Sequence, residues 1–161
     1  MPRDKPSARP PASSPEVRRR MQRVRQRDTD IELSLRSTLH RMGLRFRVQR
    51  QLLPSLRRKA DIIFVKARVA VFVDGCFWHG CARHGTQPKA NRNWWREKFA
   101  ANVQRDRDTD KKLRAAGWRV IRVWEHELSH IAARRVLAAV TGRRKQKSSR
   151  NSSLRHELPR S

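Results

Sequence analysis

The chain has 161 residues, with 40 Lys and Arg against 14 Asp and Glu and a formal net charge of +26. This length suits one domain of ordinary size and disfavours two. The longest apolar run, at 69–73, is far too short to span a bilayer, and no apolar stretch near the start resembles a secretory signal, so we expect a cytoplasmic protein with no membrane partner. The charge predicts a polyanionic partner, and an RNA binder, a DNA-packing protein and a nuclease all remain open.

The two ends of the chain differ in composition from its middle. Residues 1–29 carry nine basic and three acidic groups, and residues 142–161 carry seven and one, so the middle keeps a charge of +14. Residues 1–15 also hold five of the eight prolines. We therefore expect a disordered basic arm over 1–15, one folded domain over 16–141, and a disordered, Ser-rich basic tail over 142–161.

Patterning in the middle predicts helices and strands that alternate along the chain. Thr29 and Glu32 form a predicted capping box, which opens an amphipathic helix that stops at Gly43. Its apolar stripe consists of Ile31, Leu35, Leu39 and Met42. The later predicted elements are strands at 46–49, 61–65 and 69–73, a helix at 91–115, a strand at 118–123 and a helix at 128–140. This order predicts a mixed α/β fold with helices around a central sheet.

The segment at 74–84 is the richest in chemically reactive side chains. It holds the only two cysteines of the chain, two histidines and an aspartate, directly after a predicted strand. A structural disulfide is not expected in a cytosolic protein, whereas thiolate and imidazole ligands suit zinc. The candidate ligands are Cys76, Cys81 and His84, with His79 as a competitor and the distant His126 as a fourth. Two free thiols among scattered surface histidines are the alternative.

The positions of the few acidic residues, relative to the predicted strands and helices, indicate their roles. Asp61 opens one strand and Asp74 closes the next, so a hairpin would bring both to the same end of the sheet, as a candidate Mg²⁺ site. Glu32 is interpreted as an ordinary helix cap. Acids at 106, 108 and 110 alternate with Arg and Lys, which indicates a mostly solvated helix face.

Adjacent aromatic residues occur twice. Phe77 and Trp78 would each ordinarily belong to a core, but in a strongly basic protein the pair could enter a base stack as a wedge. Trp94 and Trp95 raise the same question. Trp95 shares a helical stripe with Phe99, so one tryptophan is expected in the core and the other exposed.

These segments together resemble the very short patch repair (Vsr) DNA mismatch endonucleases, over roughly residues 18–140. The Gly75-Cys76-Phe77-Trp78-His79 run is the most specific of them. The other matching blocks are 27–32, 46–49, 60–64, 102–107 and 117–126.

The resemblance implies the restriction-endonuclease-like, PD-(D/E)xK fold and nicking of one DNA strand on the 5′ side of the thymine in a T:G mismatch, which starts repair of deaminated 5-methylcytosine. It implies a Mg²⁺-binding Asp61, a water-activating His79, an acidic Glu32 near the active site and an Asp106 that supports the catalytic histidine. The DNA-intercalating aromatics would be Phe77, Trp78 and Trp95. A structural Zn²⁺ would be held by Cys76, Cys81, His84 and His126.

Several expectations stay open at this point. Asp74 stands where some members of the family have histidine, and could be a second Mg²⁺ ligand or an acidic partner of His79. The expected setting is a bacterial, nucleoid-associated protein, monomeric on mismatched double-stranded DNA, with other repair proteins as candidate partners. The competing hypotheses are a nuclease of the same fold that acts on another mismatch or damaged base, and a non-catalytic, zinc-stapled nucleic-acid binder.

Overall fold

A computed structural model describes residues 29–79, 81–85 and 88–155, with side chains to residue 142, and in addition Pro15, Glu16 and Arg19. From residue 29 onward the described chain follows the predicted order of elements. They are α1 (Asp30–Arg41), β1 (Arg47–Gln51), β2 (Lys59–Phe64), β3 (Val69–Asp74), α2 (Arg92–Ala115), β4 (Arg119–Trp124) and α3 (Ser129–Arg155). The predicted arm over residues 1–15 lies almost wholly outside the described residues, and the domain limits stay a prediction.

The four strands form one mixed sheet in the order β1-β2-β3-β4. The predicted hairpin is confirmed, since β2 and β3 pair antiparallel with Ile62 opposite Val71. β3 and β4 pair in parallel, and α2 makes the connection between them. Parallel pairing places the carboxyl ends of β3 and β4 side by side, which is where the predicted Cys and His residues follow each strand.

Helices cover both faces of the sheet, because successive residues of the central strands point to opposite sides. One side packs Ile62, Val69 and Val71 against α1 and α3, with Leu35 and Val136 fully buried between them. The other side packs Ile63, Ala70 and Phe72 with Leu113 of α2. The near-continuous apolar sequence of β3 follows from this burial on two faces.

Helix ends match the predicted signals. Thr29 caps α1, with its Oγ1 accepting from the Glu32 N–H at 3.4 Å. Gly43 and Gly117 follow α1 and α2 with φ of +77° and +79°, a conformation that glycine adopts without steric cost.

Two expectations differ from the structure. The last helix is predicted to end at Val140, whereas its backbone continues to Arg155. Residues 143–155 are mostly Arg, Lys, Gln and Ser with no proline, and Arg, Lys and Gln favour helix. The solvated face predicted for the acids of α2 holds for Asp108, whereas Asp106 is buried because it faces the end of the sheet.

No helix in the part of the chain that the structure describes is long and apolar enough to cross a membrane.

Candidate active site and metal centre

Two clusters of metal-binding side chains lie next to each other at the carboxyl ends of β3 and β4. The sulfur cluster consists of Cys76, Cys81, His84 and His126, and the acidic cluster consists of Asp74, His79 and Asp106. In each cluster, one ligand atom from every residue lies within 4.8 Å of the others. His79, which the sequence offered as a competing partner of the cysteines, belongs to the acidic cluster.

The sulfur cluster has the dimensions of a zinc site. The Cys76 Sγ lies 3.0 Å from His126 Nδ1 and 3.9 Å from His84 Nδ1, and the Cys81 Sγ lies 3.7 Å and 3.9 Å from the same two atoms. A tetrahedral Zn²⁺ with ordinary Zn–S and Zn–N bonds separates its sulfur and nitrogen ligands by about 3.5 Å. The four side chains therefore fit one zinc ion without rearrangement of the backbone.

The two thiols differ in acidity. Burial raises the pKa of the Cys76 thiol to about 12, with a further contribution from the neighbouring Cys81. Burial also acts to raise the pKa of Cys81, but backbone hydrogen bonds from Arg83 and His84 outweigh it and bring that pKa below its ordinary value. Zinc binds the thiolate form of cysteine, so binding of the ion would release the proton that the raised pKa of Cys76 retains.

The acidic cluster is organised around a histidine and an aspartate from different elements. The turn after β3 carries His79, and α2 carries Asp106, whose Oδ2 lies 2.5 Å from His79 Nδ1. The Asp74 Oδ1 lies 3.6 Å from the same nitrogen. With Nδ1 engaged by the carboxylate, the lone pair of Nε2 is the one left to accept a proton, as in an acid-oriented general base.

Asp106 is kept ionised by its partners. Burial acts to raise the pKa of Asp106, but the hydrogen bond from His79 and the charges of Arg122 and Arg58 bring it below the ordinary value. Arg58 contacts the Asp106 Oδ1 directly. An ionised Asp106 can stabilise the positive charge that His79 acquires when it takes up a proton.

Arg122 of β4 connects the acids to one another. Its Nη1 donates to both oxygens of Asp74, at 2.7 and 2.9 Å, and its Nε and Nη2 donate to Asp110 at 3.1 and 2.9 Å. Its Nη2 also donates to the main-chain oxygen of Asp106 at 3.3 Å. The guanidinium of Arg122 thereby joins the end of β3 to α2. It also pairs with the carboxylate of Asp74, which the sequence offers as a second Mg²⁺ ligand.

Asp61 differs from these acids, because both of its hydrogen-bond donors are neutral. The Gln49 side-chain amide donates to Oδ1 and the Val73 N–H donates to Oδ2, both at 2.8 Å. No Lys or Arg among the described residues forms a salt bridge with it, although Arg36 acts on it at longer range. Burial raises the pKa of Asp61, and the nearby charge of Asp74 adds to the rise. A half-buried carboxylate without a contacting cation is a suitable ligand for Mg²⁺.

Glu32 serves its own helix. It is 4% exposed, takes part in the cap of α1 with Thr29, and accepts from Arg36 at 2.9 Å. The structure confirms that Glu32 takes part in the cap, and Glu32 belongs to neither cluster among the described residues. Its place near the active site, which the resemblance implies, stays a prediction.

The aromatic residues form one cluster beside the acidic site. The ring of Phe77 lies edge-on to Trp78, Trp95 and Phe99, with centroids 5.0, 5.3 and 5.3 Å away. The Asn102 side chain donates to the Trp78 main-chain oxygen at 2.9 Å and so ties the turn to α2. Phe77 and Trp78 are half-buried, whereas Trp95 is buried, so Trp95 is the least accessible of the three rings.

Three side chains of this region were not found by sequence reasoning: Arg58, Arg122 and Gln49. The sequence holds a weak signal for Arg122, since a charged residue stands between the apolar residues Ile121 and Val123 within a strand. Gln49 lay in a matching block without a role, and nothing in the sequence distinguished Arg58 from the basic residues around it.

Comparisons with known proteins agree with this geometry. The family model described as DNA mismatch endonuclease Vsr matches residues 13–84. The type II nicking enzyme V.NaeI of Lentzea aerocolonigenes is 48% identical over 111 residues, which cover 68% of this chain and 67% of that protein. The type II nicking enzyme V.XorIIP of Xanthomonas oryzae is 46% identical over 122 residues, covering 74% and 88%. The DNA mismatch endonuclease Vsr of Escherichia coli is 41% identical over 106 residues, covering 65% and 66%.

Proposed function

Because this chain belongs to the Vsr family of DNA mismatch endonucleases, we propose that it nicks one strand of duplex DNA on the 5′ side of the thymine in a T:G mismatch. The observation that carries the proposal is the His79–Asp106 pair within the acidic cluster. Asp61 lies outside that cluster, but it accepts from the main chain of Val73, the residue before Asp74, and it has no contacting cation among the described residues. Because the relatives come from bacteria, the setting would be bacterial chromosomal DNA in the cytoplasm, with the protein acting as a monomer and other repair proteins as candidate partners.

Asp61 is the residue that would hold the catalytic Mg²⁺. A bound Mg²⁺ supplies charge neutralisation at the scissile phosphate and polarisation of a water molecule. Asp74 is a weaker candidate ligand, since Arg122 occupies both of its oxygens. We therefore assign Asp74 to the support of the site, between Arg122 and His79.

His79 would remove a proton from the attacking water through Nε2. Asp106 holds the Nδ1 proton and thus fixes both the tautomer and the ring orientation. This is ordinary general-base catalysis, which contributes about 10² to 10⁴ in rate.

The aromatic cluster suits recognition of a mispair. Inserting Phe77 and Trp78 between bases requires unstacking, which costs least where pairing is already poor. Trp95 is buried and its ring lies against Phe77, so we assign it to backing the wedge rather than to first contact with the bases. Zn²⁺ bound by the sulfur cluster would brace the turn that carries both the wedge and His79.

A nicking assay tests this proposal. Mismatched duplexes labelled on each strand are incubated with protein and Mg²⁺, and the position of any nick is mapped. Asp61→Ala should abolish nicking and leave duplex binding intact, whereas Asp108→Ala on the exposed face of α2 should nick like the wild type. Nicking by Asp61→Ala at the wild-type rate would remove the metal assignment.

A nuclease acting on another mismatch or a damaged base is the second candidate. The acidic cluster, Asp61 and the aromatic wedge would serve that reaction as well, so the two candidates differ only in the target. The same panel of duplexes decides between the two targets. A non-catalytic nucleic-acid binder would need neither Asp61 nor the His79–Asp106 pair.

A further inference from the structure

Gln49 has an unusual backbone conformation for a strand residue. Its φ is +51°, in the left-handed region that residues with a side chain rarely adopt. The β1–β2 ladder pairs Val48 with Ile62 and Arg50 with Ala60, but the intervening pair of Gln49 with Asp61 is not formed. Such conformations persist only where their surroundings hold them, and they concentrate at functional sites.

The side chain of Gln49 explains what this conformation achieves. Its Nε2 donates to the Asp61 Oδ1 at 2.8 Å, while the Val73 N–H donates to Oδ2 at 2.8 Å. The carboxylate is thus held from β1 on one side and from β3 on the other. Each carboxylate oxygen keeps a second lone pair for another partner.

The neutrality of both donors matters. An Arg or Lys at position 49 would orient Asp61 equally well, but its charge would compete with any cation that the carboxylate binds. This contrasts with Asp74 and Asp106, which are both paired with arginines. An amide fixes the direction of the carboxylate and leaves its charge available.

We propose that Gln49 is a positioning residue, whose left-handed backbone aims its amide at Asp61 and thereby orients that carboxylate for the catalytic cation. This proposal rests on the proposed function, since it takes Asp61 to be the ligand of that cation. It predicts that catalysis depends on the length of the Gln49 side chain and on its amide group. The strained backbone matters only because it places that amide at Asp61.

Two substitutions separate positioning from a structural role. Gln49→Gly removes the amide but suits a positive φ, and Gln49→Asn keeps an amide and tolerates this backbone yet is one methylene shorter. Val48→Gly is the matched control, because Val48 is the neighbouring exposed strand residue and pairs with Ile62 instead of Asp61. For each variant we would measure the melting temperature, the affinity for a T:G duplex in Ca²⁺, and the single-turnover nicking rate at saturating enzyme in Mg²⁺.

Both Gln49 variants should bind the duplex within twofold of the wild type and melt within a few degrees of it, but nick at least tenfold more slowly. Val48→Gly should nick at the wild-type rate. Gln49 variants that nick within twofold of the wild type would overturn the proposal. So would an equal loss of rate in Val48→Gly, because the effect would then belong to the strand.

A separate measurement tests the role of Gln49 independently of the proposed nicking activity. If the wild type nicks no duplex of the panel, the proposed function fails. The affinity of the protein–duplex complex for Mn²⁺, measured by electron paramagnetic resonance of the free ion, still tests the positioning role of Gln49. At least fivefold weaker Mn²⁺ binding in both Gln49 variants would support the positioning role, and unchanged binding would overturn it.

Discussion

Removal of the Arg122 guanidinium should destabilise the fold strongly. In Arg122→Gln, the carboxylates of Asp74 and Asp110 lose their shared partner. Both charges then stay largely buried, because their side chains are only 5% and 13% exposed. Breaking a buried ion pair by removing one member costs about 3 to 5 kcal/mol, because the other charge stays buried and uncompensated. For a domain of this size, that loss in the free energy of unfolding lowers the melting temperature by roughly 10 to 15 °C.

Arg114 provides a matched control on the same acid. It pairs with Asp110 at 3.2 Å, but its side chain is 61% exposed, so Arg114→Gln should cost less than about 0.5 kcal/mol. A double variant, Asp74→Asn with Arg122→Gln, should recover part of the loss, since it removes the stranded charge as well.

Urea unfolding followed by tryptophan fluorescence measures all three variants. Arg122→Gln that unfolds at the same urea concentration as Arg114→Gln would refute the reasoning. The same result would show that Arg122 does not stabilise the packing of β3, β4 and α2 against one another.

Other predictions concern the two clusters and the wedge. Cys81→Ser should lose the single zinc ion expected per chain and melt at a lower temperature; metal analysis of wild type purified without chelator that finds no zinc would contradict this. Asp106→Asn should slow single-turnover nicking by about 10²-fold or more without weakening duplex binding, because His79 loses its orienting charge; equal rates would remove that role. Trp78→Ala should reduce the preference for mismatched over matched duplex, measured by competition binding, and an unchanged preference would argue against the wedge.

The order of elements could be predicted because each one carries a local signal. Each signal depends only on residues close to it in the chain. The structure confirms the helix start at Thr29, the hairpin formed by the apolar runs on either side of Arg68, and the helix end at Gly117. Proximity of the Cys and His residues is predicted from their ligand chemistry, and the structure supplies its physical cause, since the parallel strands β3 and β4 end together and bring the segments after them together. The gathering of His126 with the cysteines follows from that topology.

The charge network could not be predicted in the same way. Arg122 and Asp74 lie 48 residues apart, and pairing between them depends on the register of β3 with β4, which no local pattern specifies. Composition alone misplaces Asp106 of α2 for the same reason, whereas the family resemblance already implies that Asp106 supports the histidine at position 79. Alternation with Arg and Lys suggests a solvated face, yet Asp106 faces the end of the sheet and Asp108 does not.

Gln49 shows a third limit. Its left-handed conformation conflicts with its strand setting, and local propensity is expected to fail at such strained positions. Only the position of Asp61 opposite it gives the conformation a reason.

The most direct test of the central claim maps strand cleavage of duplexes that carry each single mismatch, with wild-type protein and Asp61→Ala in Mg²⁺. The account predicts that the wild type makes one nick, 5′ to the thymine of T:G, and that Asp61→Ala makes none while binding the same duplex with unchanged affinity. A wild-type protein that leaves every duplex intact, or an Asp61→Ala variant that nicks at the wild-type rate, would contradict it.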